Sequence, residues 1–287
     1  MRVSAGIVGT TAGPRLHAVD ARWLMAYAAA LGETAPAYLD TLRPEGVLAH
    51  PLFPVCYEWP VAVDLRAAAI PDDVAARGVH ATHDLHLHRR PRAGDRLSTT
   101  ATITAAEART PGAYVLIRFE SVDQQGEPVS TTDYGTLYLG VTCDGAPVRP
   151  IPAPVAAGTE AGEPVWSASL PIPAALGHVY TECARIWNPI HTDRAFALAA
   201  GLPDVILHGT ATLALAVSEV LRREAAGPAT PVVRIACRFA GMVRIPSTVR
   251  VRGLGAAATP EGRRLRFDAL ADDGRPAIRD GRLLIGQ

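Results

Sequence analysis

Residues 180–215 read YTECARIWNPIHTDRAFALAAGLPDVILHGTATLAL. Pro189 restricts the residue before it to extended backbone, so the chain should turn sharply between Asn188 and His191. The small-residue run from Thr192 to Ala200 reads as a short helix. His208-Gly209 then opens HGTATLALAVSEVLRREA (208–225), where Leu213, Val217, Val220 and Leu221 form an apolar stripe. Charges gather at its end as Arg222, Arg223 and Glu224, which completes the pattern of an amphipathic helix. Strand-like runs follow: VRVRGLGA (249–256), RLRFDALADD (264–273) and AIRDGRLLIG (277–286), with DDGRP as a turn between strands.

The same order recurs upstream in weaker form. DARWLMAYAAALG (20–32) reads as a helix capped by Asp20, ended by Gly32, with Trp23, Tyr27 and Leu31 on one face. ETAPAY (33–38) then matches IWNPIH (186–191): Pro36 and Pro189 lie 153 residues apart, as do Tyr38 and His191. GVLAHPLF around His50 matches DVILHGTA around His208, 158 residues on. HLHRRPRAGDRL (86–97) matches RFAGMVRIPSTV (238–249) in position and in its alternation of basic and apolar residues. LSTTATITAAEA (97–108), AYVLIRFESVD (113–123) and TDYGTLYLGV (132–141) supply the strands, with DQQGEP as a turn. Between the copies, VTCDGAPVRPIPAPVAAGTEAGEP (141–164) is rich in Pro, Gly and Ala and reads as a linker. The chain is therefore expected to divide into an N-terminal half (1–140), a linker (141–164) and a C-terminal half (165–287). Each half is a helix-containing segment followed by an antiparallel meander, an α+β pattern in which a sheet wraps an apolar helix.

Bulk composition narrows the function classes. The 287 residues carry 28 basic and 28 acidic side chains, so nothing draws the whole chain to nucleic acid or an anionic membrane. No run of about 18 apolar residues could span a bilayer, and the N-terminus lacks the apolar core of a secretory signal. The expectation is a cytoplasmic protein with no membrane or nucleic-acid partner. Cys56, Cys143, Cys183 and Cys237 form no CxxC pair and no zinc spacing, and read as small hydrophobes. Neither metal nor organic cofactor is expected. Every basic residue is Arg, and the one Asn is Asn188, beside the turn that precedes His191.

Asn188-Pro189-Ile190-His191, the small-residue run after it and the later His208-Gly209 resemble the MaoC-like (R)-specific enoyl-CoA hydratases and dehydratases. The first half resembles the degenerate companion copy that such proteins carry, so the resemblance covers nearly the whole chain and implies a double hotdog fold. It implies an acyl-CoA or carrier-bound acyl thioester as substrate, with His191, Asn188 and Gly209 as the catalytic set. Hydration of an enoyl thioester needs a base, an acid and a donor to the enolate-like oxygen. A neutral imidazole suits the first role. A helix-opening Gly suits the last, since its N–H has no intrahelical partner and no side chain blocks approach. The other reading of His-Gly is a helix start beside a packed histidine.

One position departs from the family. The resemblance places an Asp two residues before Asn188, where this chain has Ile186, which can neither transfer a proton nor orient a water. Glu182, Tyr180 or Glu33 would then have to supply the acid, or the reaction needs one proton carrier only. An isomerase or cyclase on the same scaffold therefore stands beside the hydratase, and a non-catalytic acyl-binding subunit stands third. Ile186, Trp187 and His208, with Trp23, Tyr27 and Phe53 from the first half, are expected to line an acyl tunnel at the seam, with one working pocket per chain. A homodimer is compatible with this scaffold. His86 and His88 share one strand face and have the spacing of a metal pair, but no third ligand is evident and a solvated face is the preferred reading. Arg89, Arg90 and Arg92 read either as contacts to coenzyme A phosphates or as a basic sheet edge.

Overall fold

The computed structural model describes residues 1–149 and 163–286. The first half runs β1 (Arg2–Ser4), β2 (Thr11–Ala18), α1 (Ala21–Ala30), α2 (Pro36–Leu39), α3 (Pro54–Ala69), α4 (Asp72–Ala75), β3 (Gly78–Leu87), β4 (Arg96–Arg109), β5 (Gly112–Val122), β6 (Pro128–Leu139) and β7 (Thr142–Asp144). The second runs β8 (Trp166–Ile172), α5 (Leu176–Ala184), α6 (Arg194–Ala199), α7 (Gly209–Glu224), β9 (Val232–Phe239), β10 (Ser247–Thr259), β11 (Gly262–Leu270) and β12 (Pro276–Ile285).

Ten strands form one sheet in the order β2-β4-β5-β6-β3-β9-β12-β11-β10-β8. All its pairings are antiparallel. Read inward from either end, the order is the same, so the sheet is two five-stranded copies joined at β3 and β9. The register of that join locates a pseudo-twofold axis. Asp84 lies opposite Ala236, and these residues are separated by the same offset that aligns His86 with Arg238 in the sequence repeat. In the helical layer, Tyr27 and Tyr180 are 153 residues apart and their hydroxyls are 3.3 Å apart. A residue and its repeat mate thus meet on the axis twice, and the fold is a double hotdog.

Local chemistry explains the helices. Asp20 accepts from the Trp23 N–H at 2.7 Å and caps α1; Gly32, at φ +74°, follows its last turn. Trp23, Tyr27 and Leu31 are buried, as their spacing predicts. In α7 the apolar stripe is buried, and Arg222 and Arg223 turn back onto the buried Glu219. The central helix of the first half, α3, has no comparable signature in the sequence. Pro60 lies inside it, and Val55, Cys56, Tyr57, Glu58, Val61 and Leu65 are all buried. With water excluded from most of its first two turns, polar and apolar positions do not alternate. The match of His50 to His208 is the signal that places a helix here.

The first residues of the stretch read as a linker form β7, which pairs in parallel with β1; residues 150–162 lie outside the described residues. Arg89 and Arg90 have protein partners. Arg89 binds Asp95 and Asp123, and Arg90 donates to the carbonyls of Pro228 and Thr230 in the other half, each at 2.6 Å. These two guanidiniums are structural braces, and a phosphate would have to displace their present acceptors. No helix among the described residues is long and apolar enough to cross a membrane.

Glu58 faces inward from α3 and accepts from the Thr132 hydroxyl at 2.6 Å. Burial pushes its carboxyl up from an ordinary value of about 4.5 to about 8. The folded protein therefore holds a proton that the unfolded chain releases, and stability falls as pH rises from about 4.5 to about 8. Glu58→Gln should remove this dependence. Its stability relative to wild type, read from urea melts, should rise across that window by an amount on the order of a few kcal/mol.

Candidate active site

The site is built by the turn that the Asn-Pro pair predicts. Asn188 is extended (φ −126°, ψ 115°), and its side chain caps a 3-10 turn over Pro189–His191 by accepting from the Ile190 N–H. The Asn188 carbonyl accepts from the His191 N–H at 3.1 Å. Helix α5 packs closely behind: a Cβ on Gly177 would lie 2.7 Å from the His191 carbonyl oxygen, so only glycine allows this approach. His191 is thereby held with its ring inward and its side chain buried.

The ring has a defined tautomer. Nδ1 lies 2.8 Å from the Ile206 carbonyl oxygen, which can only accept, so Nδ1 carries the proton and donates it. Nε2 is left as the basic nitrogen. Burial pushes the imidazole down to about 4, and the Ile206 bond opposes that only in part. The His191 and His208 rings stack, with centroids 3.6 Å apart and planes at 28°. His208 Nε2 is 3.2 Å from the Thr181 hydroxyl, and burial followed by the neighbouring His191 holds its ring neutral. His208 immediately precedes α7, so the stack sets His191 beside that helix's N-terminus. Gly209 is its first residue, and the Phe239 ring stands 3.3 Å from where a Cβ would be.

Of the residues expected at the site, His191, Asn188, His208 and Gly209 are brought together. Ile186 is buried in the main hydrophobic core, with its carbonyl oxygen 3.4 Å from His208 Nε2. Trp187 is 58% exposed and turns away, its indole N–H toward Glu182. Trp23, Tyr27 and Phe53 are packed against one another as core, and Arg185 lies 4.0 Å over the Trp23 ring. Among the alternative acids, Glu182 is exposed, whereas Tyr180 is fully buried and donates to the Thr210 hydroxyl at 3.1 Å. A groove of about 640 Å³ is lined by Ile206 with Pro203, Met242, Arg244, Arg275 and Arg279. Arg244 and Arg275 pair there with Asp272 and Asp273.

His86 and His88 lie outside this centre. His86 is 3.8 Å from Asp84 and His88 bonds Thr131. Two residues that sequence reading did not single out for the interior, Glu58 and His83, are both buried. For His83, alternation with the buried Leu85 and Leu87 was the available signal.

The sequence pattern of a MaoC-like domain matches residues 159–258, and that of a FAS1-like dehydratase domain region matches residues 7–132. The two matches fall on the two halves in turn. The C-terminal half carries a MaoC-like domain, and the N-terminal half a FAS1-like dehydratase domain region. A UPF0336 protein of Streptomyces griseus is 32% identical over 138 residues, which cover 46% of this chain and 91% of that protein. The peroxisomal enoyl-CoA hydratase 2 of Arabidopsis thaliana is 42% identical over 53 residues, 18% of this chain and 17% of that protein. The crystal structure of a MaoC-like dehydratase from Phytophthora capsici superimposes with a TM-score of 0.84 at 19% identity, over 98% of this chain and 96% of the other. At that identity the likeness concerns the fold.

The lowered basicity of His191 has a direct readout. In a proton NMR titration the His191 ring should stay neutral from about pH 8 to pH 5 and gain its proton only as pH falls through about 4. A midpoint near the ordinary 6.5 would show that the ring is solvated.

Proposed function

We propose that the chain adds water to an α,β-unsaturated acyl thioester, or removes it from the 3-hydroxy product, with His191 as general base. The observation that carries this reading is the fixed tautomer. Nδ1–H is committed to Ile206, and Nε2 is left basic beside the N-terminus of α7. The matched dehydratase pattern over residues 159–258 supports it.

The chemistry follows from these positions. The thioester carbonyl approaches Gly209, whose N–H lies at the positive end of the α7 dipole and donates to the oxygen as it becomes enolate-like. His191 Nε2 takes a proton from water as its oxygen bonds to C3, and electrons move through C2 to the carbonyl oxygen. The same imidazolium then returns its proton to C2 as the carbonyl re-forms. One proton carrier closes the cycle, so Ile186 needs no acidic substitute. Asn188 shapes the turn and transfers nothing. Tyr180 acts through Thr210, the second residue of α7, to hold the helix start in place.

Ile186 also favours a second reading, isomerisation or cyclisation of an acyl chain in a dry pocket, because no carboxylate is present there to orient water. Crotonyl-CoA hydration separates the two. His191→Ala should lower kcat/KM about 10²–10⁴-fold, and Asn188→Ala should cost less. Ile186→Asp should leave hydration intact or raise it if water addition is the native reaction. It should impair a reaction that depends on a dry pocket, since a buried carboxylate draws water in. Ile186→Asn controls for the lost packing. Robust wild-type hydration indifferent to His191→Ala would refute the assignment.

A further inference from the structure

The inner face of the sheet, where an apolar lining would be expected, carries a polar group at the seam. His83 follows the alternation of the buried Leu85 and Leu87 and lies opposite Tyr134 on β6 and Cys237 on β9. It is 1% exposed, and neither of its ring nitrogens has a hydrogen-bond partner among the described residues. The other buried imidazoles differ. His50 bonds Ser218 and the Leu52 N–H, His191 bonds Ile206, and His208 bonds Thr181. Leaving both nitrogens of an imidazole unpaired in a protein interior is costly, and such a group calls for an explanation.

A continuous line of contacts connects this group to the candidate active site. From the place of a Cβ on Gly209, the Phe239 ring is 3.3 Å away. The Phe239 and His80 ring centroids are 4.4 Å apart, and His80 is 5.4 Å from His83. A strand irregularity between His80 and Thr82 turns both imidazoles to the same face. His80 stacks on Tyr134 at 3.8 Å. Gly209, Phe239, His80 and Tyr134 are each partly exposed, whereas His83 at the far end of the line is buried.

We propose that this line is the acyl channel and that the acyl group it receives carries an oxygen, as a hydroxyl or a ketone, which hydrogen-bonds to His83. The proposal rests on the hydratase reading for the position of the thioester at Gly209. A neutral His83 presents one N–H donor and one acceptor nitrogen, which suits a hydroxyl fully and a ketone through the donor. His80 donates Nε2–H to the Thr82 carbonyl at 3.1 Å, which leaves Nδ1 as a second acceptor nitrogen on this line. No group of three or more metal-ligating side chains forms among the described residues, so a neutral oxygenated chain fits this lining better than a cation does.

Isothermal titration with saturated thioesters tests the idea without turnover. The probes are octanoyl-CoA, its terminal-alcohol derivative, and its derivative with a ketone on the penultimate carbon. At least one oxygenated probe should bind wild type about ten-fold tighter than octanoyl-CoA, the worth of a buried hydrogen bond to an unpaired group. His83→Leu should abolish that preference, and His83→Gln should restore part of it. Thermal melting supplies an independent readout: His83→Leu should melt at the wild-type temperature or higher, because it removes an unpaired polar group. Equal binding of all three probes by wild type would overturn the proposal, as would a marked fall in melting temperature in His83→Leu. Crotonyl-CoA hydration by wild type is scored separately. If it is absent while the binding preference persists, the hydratase reading fails and the oxygen-recognising channel stands.

Discussion

Five residue pairs, from Thr82–Arg238 to His86–Arg234, hold β3 against β9. Without that join each half would end in an open strand edge with unpaired N–H and C=O groups. The join satisfies those edges and places α3 and α7 over the same face of one sheet: Glu58 of α3 reaches Thr132 there, and Gly209 of α7 meets Phe239. On the opposite face, Asp84 and Arg234 close the seam with two hydrogen bonds, at 2.6 and 2.7 Å. Other contacts bridge the halves around it, including His50 with Ser218 and Arg90 with the carbonyls of Pro228 and Thr230. The histidine stack and the helix start both stand on this alignment.

Several titratable groups enclosed in the resulting interior are held uncharged. Burial lowers the basicity of His50, His83, His191 and His208 and raises the pKa of Glu58, so each is driven toward its neutral form. Neutral groups keep directional hydrogen bonding without the desolvation cost of an ion. Specificity at such a site comes from which nitrogen holds the proton. For His191 the Ile206 carbonyl decides that, so a backbone atom of the loop before α7 sets the tautomer.

Much of this was legible in the sequence because the informative signals are local. Asn188-Pro189 encodes a turn through backbone sterics, Asp20 and Gly32 punctuate α1, and the strands of both meanders alternate. The double hotdog followed from the repeat and the family resemblance together. The signals that failed depend on tertiary surroundings. Helix α3 is buried on most sides early in its course, so it shows no amphipathic period, and Pro60 masks it further. Arg89 and Arg90 looked like free basic residues because Asp123, Pro228 and Thr230 are remote in sequence. Trp23, Tyr27 and Phe53 were rightly read as apolar and inward, but apolar spacing does not distinguish a tunnel wall from packed core. The orphaned state of His83 is invisible in one dimension, since it consists of what surrounding strands do not offer.

The register at the axis also bears on how such a chain can diverge. In a symmetric dimer of identical subunits, a residue on the twofold meets its own copy, so an Asp there would face another Asp, and like charges directly opposite one another destabilise a sheet. Here Asp84 faces Ala236. Covalent fusion lifts the rule that both sides of the axis must be the same amino acid. An acidic residue can then occupy one side and recruit Arg234 as its counter-ion, while the other side keeps a methyl group. The same freedom lets one copy retain Asn188 and His191 while the matched positions, Ala35 and Tyr38, drift toward packing, so the seam becomes a junction of two independently tuned surfaces.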